Sequence, residues 1–77
     1  MEYTAYRDIP SKLLAREDFR SNSVIGSRED GEYRVYSYGT LIFVEKADGE
    51  VIFDNSFYSR TTSRIQNLIK NTYQLLV

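Results

Sequence analysis

The chain has 77 residues, a net charge of −1, no cysteine and no histidine. That length is enough for one small domain, residues 1–77, which buries roughly 60% of its unfolded surface. Without Cys or His there is no disulfide, no thiolate nucleophile, no imidazole base and no common zinc ligand.

Residues 11–19, "SKLLAREDF", predict a short helix. Ser11 follows Pro10 and is placed to cap it. Ile9, Leu13 and Leu14 are expected to form a small apolar face. Two turns alone are unstable in water, so this helix must dock. Residues 20–28, "RSNSVIGSR", read as a loop followed by a short strand at Val24 and Ile25. "REDGE", 28–32, predicts a turn at Gly31. "EYRVYSYGTLIFVEK", 32–46, is rich in aromatic and β-branched residues and predicts strand. Tyr33 and Val35 alternate with Arg34, Tyr36 and Tyr38. Gly39 either turns the chain or marks a bulge. A break is favoured, with strands at 32–37 and 40–46. "KADGE", 46–50, is the clearest turn, and "VIFD", 51–54, is the returning strand.

In "FYSRTTSRIQN", 57–67, Ser63 and Gln66 have the spacing of a capping box. From Arg64 the apolar period is helical, with Ile65, Leu68, Ile69, Thr72, Tyr73 and Leu76 on one face. The expected architecture is α+β. A three- to four-stranded antiparallel meander is packed by a C-terminal amphipathic helix, with a short N-terminal helix beside it.

The chemistry-bearing patterns are few. No nucleophile–histidine pair exists, and the four glycines stand alone rather than in a phosphate-binding loop. Neither an enzyme nor a bound cofactor is expected. The acidic pairs Glu17-Asp18 and Glu29-Asp30 read as surface. The mixed N-terminus and the lack of a long apolar run predict a protein without leader or membrane span. Charge is uneven: residues 29–54 carry −5 and residues 55–77 carry +3. The acidic middle includes Glu29, Asp30 and Glu32.

Seven tyrosines are many for this length. Arg34, Tyr36 and Tyr38 share one strand face. Such a face suits half-buried sheet packing, a protein partner, or base stacking. In "YSRTTSR", Tyr58, Arg60, Thr61, Thr62 and Arg64 surround a helix start. One hydroxyl caps such a helix; the others hold the loop, or hold an anion or a partner.

"FRSNSVIG", "YRVYSYGTLIF" and "FYSRTTSRIQN" together resemble a small domain of unknown function from bacteriophage accessory proteins. That domain carries SY-x-T-x-I followed by YYS-x-TTS-x-x-QN. The matching positions are Ser37, Tyr38, Thr40, Ile42, Tyr58, Ser59, Thr61, Thr62, Ser63, Gln66 and Asn67, over about residues 9–71. A histidine often precedes the glutamine there; this chain has Ile65. The resemblance implies phage origin and a host-cytoplasm setting, and it implies no catalytic role.

The leading expectation is a non-catalytic protein that binds a host protein. Inhibition of a defence nuclease such as a CRISPR effector is its sharpest form. The acidic middle would then oppose a nucleic-acid channel, with tyrosines as anchors. The alternatives are a nucleic-acid module using Arg34, Tyr36, Tyr38, Arg60, Arg64 and Lys70, and a homo-oligomeric phage structural protein.

Overall fold

Two hairpins of the same turn geometry organise the chain, whose computed structural model describes residues 2–75. Asp30-Gly31 and Tyr38-Gly39 each take positive φ at both positions, 53° and 81° for the first, 51° and 78° for the second. That is the two-residue turn whose twist matches a right-handed hairpin. The first joins β2 (Val24–Glu29) to β3 (Glu32–Ser37), and the second joins β3 to β4 (Thr40–Glu45). The connection 46–50, closed by the Lys46 amide on the Glu50 carbonyl and with Gly49 at φ 92°, leads on to β5 (Val51–Phe53). A further strand, β1 (Phe19–Ser21), pairs with β2. The result is one five-stranded antiparallel sheet in the order β1-β2-β3-β4-β5.

The fold is α+β, with five strands where three or four are expected. β1 is the addition, at the end of the expected helix and the start of the expected loop. Its buried positions are Phe19 and Ser21, so its inward face shows only one apolar residue. The question at Gly39 has two answers. Gly39 turns the chain, and a bulge lies three residues on. Val35 faces Phe43 while Tyr36 faces Leu41, so Ile42 is the extra residue. The bulge brings both Ile42 and Phe43 into the core.

Helices α1 (Ile9–Ala15) and α2 (Arg60–Tyr73) cover one face of the sheet. α1 starts before Ser11, with Pro10 in its first turn and no side-chain cap. Ile9 and Leu13 are buried, whereas Leu14 is 57% exposed and leaves the expected apolar face. α2 also begins earlier than expected. Its cap is Ser59, whose Oγ accepts the Thr62 amide at 3.2 Å. Ser63 is inside the first turn, its amide bonded to the Ser59 carbonyl. The Ser63–Gln66 capping box is therefore not formed. Ile65 and Ile69 are fully buried, with Leu68 and Tyr73 partly so. Leu76 lies outside the described residues.

The core is Ile9, Leu13, Phe19, Val24, Tyr33, Val35, Ile42, Phe43, Ile65 and Ile69. Gly26 in mid-β2 is required by packing: a Cβ there would strike the Phe19 ring and lie 2.9 Å from the Tyr33 hydroxyl. No helix among the described residues is long and apolar enough to cross a membrane.

Candidate functional site

The sequence-predicted site residues fall into two groups, at opposite ends of the sheet. Strand alternation puts Arg34 and Tyr36 on the face away from the helices. The Asp30-Gly31 turn sets Glu29 directly opposite Glu32. Two carboxylates face to face repel, and Arg34 resolves this. Its Nη2 and Nε approach one Glu32 oxygen at 2.7 and 3.1 Å, and its Nη1 lies 3.4 Å from Glu29. The Tyr36 hydroxyl donates to the other Glu29 oxygen at 3.1 Å. Hydrogen bonding to Glu32 is the leading reason the Arg34 guanidinium holds its proton more tightly than usual. Asp30 stands exposed in the turn.

Behind this group lies a second pair that the sequence reading did not single out. Arg16, in left-handed backbone at the end of α1, makes a two-pronged contact with Glu45 at 2.8 and 2.9 Å. It also stacks 5.3 Å from the centre of the Tyr73 ring. The hydrogen bonds from Arg16 hold the Glu45 carboxyl below its ordinary value, outweighing the upward effect of burial. Burial raises Tyr73 to about 12. The Tyr73 hydroxyl donates to the Leu13 carbonyl, and its ring lies flat on Phe43 with centroids 5.0 Å apart. Only contact across distant segments reveals this cluster.

The other end gathers Tyr38, Tyr58, Arg60, Thr61, Thr62 and Arg64, with Phe57 in addition. The hydroxyls of Ser37 and Thr62 meet at 3.0 Å and fasten the end of β3 to the start of α2. Thr62 is buried and also accepts from the Ser59 hydroxyl at 3.2 Å. Its hydroxyl is thus committed to the fold. Gln66 is buried as well, and its amide nitrogen donates to the carbonyls of Asp54 and Ser56 at 2.7 and 3.0 Å. Those bonds fix the loop that carries Phe57 and Tyr58. Tyr58 donates to Asp54, which this bond and the Ser56 amide hold below its ordinary value. Arg64 lies over the Tyr6 ring at 4.3 Å. Arg60 and Thr61 point to solvent.

What this end offers outward is aromatic. Phe57 is 76%, Tyr38 67% and Tyr58 48% exposed. Phe57 escaped the sequence reading because an isolated aromatic in a loop has no period. Tyr36 and Tyr38, read as one face, part company: Tyr36 is tied to Glu29, while Tyr38 occupies the turn.

Two shallow polar clefts, of about 540 and 460 Å³, open elsewhere. The first lies between the N-terminal segment and Glu17-Asp18; the second lies between Arg16, Glu32 and Glu45. Comparison with curated proteins and with solved structures finds no match. A family model does match, over residues 11–75, and the chain belongs to that family, a family of unknown function (DUF8033).

Proposed function

We propose that this chain is a non-catalytic bacteriophage accessory protein that binds a host protein in the bacterial cytoplasm. Its sharpest form is inhibition of a defence nuclease such as a CRISPR effector. One observation carries the reading: Tyr38, Phe57 and Tyr58 stand exposed at one end of a 77-residue chain. Tyrosine and phenylalanine offer large contact area for few frozen torsions, and such rings anchor protein interfaces. Tyr38 also sits at φ 51°, where a bulky residue is disfavoured. Strain at an exposed ring that has no partner among the described residues points to a role outside the fold.

The nucleic-acid alternative draws less support. Two of its residues, Arg34 and Tyr36, are already engaged by Glu29 and Glu32. The same pairing weakens an acidic mimic built on Glu29 and Glu32. Capture from bacterial lysate, with and without nuclease treatment, tests the reading. The wild-type chain should retain a protein after nuclease, and Tyr38→Asn with Phe57→Ser should lose it. Nucleic acid recovered alone, and removed by nuclease, would replace the reading with the alternative. Phage plating on a host that carries the captured nuclease then tests inhibition: expression of the chain should raise the plaque count.

A further inference from the structure

The two edges of the sheet are finished differently. At β1 the N-terminal segment lies alongside: Tyr3 bridges to Arg20, and the Thr4 amide donates to the Arg20 carbonyl at 2.6 Å. At β5 no segment among the described residues pairs with the outer side. The direction of its groups follows from the ladder. Lys46 N–H bonds to the Glu50 carbonyl, and Asp54 N–H bonds to the Ile42 carbonyl. Pairs alternate along an antiparallel ladder. Val44–Ile52 is therefore the bonded pair between them, and Ile52 turns its amide and carbonyl toward β4. Val51 and Phe53 turn theirs outward. Four backbone groups thus stand in a row beside two exposed apolar side chains, Val51 at 40% and Ile52 at 48%. Natural proteins blunt such an edge with a very short strand, lysine, proline or a bulge. β5 is short, at three residues, but it carries no lysine or proline.

We propose that the β5 edge binds an extended segment of a partner protein as a sixth strand, and that this segment is apolar at its centre and basic at its flanks. Addition of a strand to a free edge is a common mode of peptide capture. The choice of occupant rests on charge. Asp48, Glu50 and Asp54 flank β5, against a single Lys46, which lies 3.7 Å from Glu50. A second copy of this chain fits poorly in the register that overlaps the two strands fully. Antiparallel self-pairing centred on Ile52 sets Glu50 opposite Asp54 of the other copy, and does so twice. Like charges directly opposite destabilise a strand pair. A segment with lysine or arginine at those positions gains where a second copy loses. Phe57 and Tyr58 follow β5 in the chain and are exposed.

The inference rests on the partner-binding reading only for the purpose of the edge; the contact itself is testable without a host protein. The isotope-labelled chain is titrated with a synthetic peptide of alternating valine and threonine with lysines at both ends, and with its glutamate-ended counterpart. The lysine peptide should shift the amides of Val51 and Phe53 first. Glu50→Lys should weaken it up to about fivefold, the effect of one exposed ion pair. Val51→Pro removes an outward donor, as edge proline does, and should abolish the response. If that variant misfolds, Glu50→Lys and the glutamate peptide still decide. Equal response to both peptides, or shifts centred away from β5, would overturn the proposal. So would concentration-dependent shifts of Val51 and Phe53 without peptide, which assign the edge to a second copy. A positive titration with no captured host protein removes the host reading and keeps the edge. Capture that survives Val51→Pro and fails in Tyr38→Asn removes the edge and keeps the host reading.

Discussion

At the Asp30-Gly31 end of the sheet, charged groups close on one another. Arg34 joins Glu29 to Glu32, and Arg16 grips Glu45. At the Tyr38-Gly39 end, the polar groups turn inward, Ser37 to Thr62 and Gln66 to the 54–56 loop, while the aromatic rings turn out. The two turns have the same backbone, so geometry does not force the difference. Aspartate tolerates left-handed φ because its short side chain bonds locally; tyrosine there costs about 1 kcal/mol. One end uses a residue suited to its turn and neutralises its own charge. The other keeps an unsuitable residue with its ring in water. The partner contact proposed above is therefore assigned to the second end.

The comparison depends on the middle of the sheet holding the two ends in place, and the largest expected effect lies there. Gly26→Ala drives a methyl group into the Phe19 ring and against the Tyr33 hydroxyl, both buried. Tyr33 donates to the Glu17 carbonyl at 2.8 Å, so it cannot retreat without losing that bond. Overpacking of this kind costs about 3 kcal/mol, read as a lower urea midpoint. Next comes the clamp of the aromatic end. Gln66→Ala strands the Asp54 and Ser56 carbonyls and should cost about 2 kcal/mol. Proteolysis within 54–58 should quicken more than elsewhere. If the whole chain loosens evenly, the aromatic end is not a separate unit.

The polar end gives a smaller, pH-dependent effect. Arg16 is 37% exposed, so its pair with Glu45 is partly screened, and Arg16→Ala should cost about 1 kcal/mol. Glu45 is held below its ordinary value of 4.5, so near that pH the unfolded chain binds more protons than the folded one. The contribution is therefore complete above 4.5 and is lost as pH falls through the lowered value. Glu45→Gln should flatten the acid limb of the stability curve. On the alkaline side Tyr73 is raised from 10.0 to about 12, so stability should fall as pH rises across that interval. Tyr73→Phe should flatten that limb. A cap effect of similar size separates two readings of the α2 start. Ser59→Ala should cost about 1 kcal/mol, whereas Ser63→Ala should stay within about 0.5 kcal/mol. Equal losses would restore the capping box read from the sequence.

That misreading shows where local pattern stops. Ser63 and Gln66 have capping-box spacing, but so do Ser59 and Thr62. Gln66 decides between them by bonding to carbonyls ten and twelve residues away, which no window on the helix reveals. β1 was hidden for a related reason: it exists through pairing with β2, and its second buried residue is a serine. The hairpins at Gly31 and Gly49 were legible because a glycine between two strand-like runs needs little context. The Arg34 group was legible in part. Alternation placed Arg34 with Tyr36, but pairing of Glu29 with Glu32 depends on the register of a particular turn. Arg16 with Glu45, 29 residues apart, had no pattern at all.

The smallest stability effect is the sharpest test of the comparison. Tyr38→Asn keeps the turn and replaces a disfavoured left-handed residue with a favoured one. Tyr38 has no hydroxyl partner among the described residues, and its ring is two-thirds exposed, so little packing is lost. Stability should therefore rise by a few tenths of a kcal/mol, up to about 1 kcal/mol. Capture of the partner should fall in the same variant. The matching change at the other hairpin, Asp30→Asn, should leave both quantities unchanged. A Tyr38→Asn chain that is less stable would mean that the ring packs usefully where it stands. A chain that is more stable and still captures its partner would mean that the ring serves neither fold nor partner, and that Phe57 and Tyr58 carry the contact.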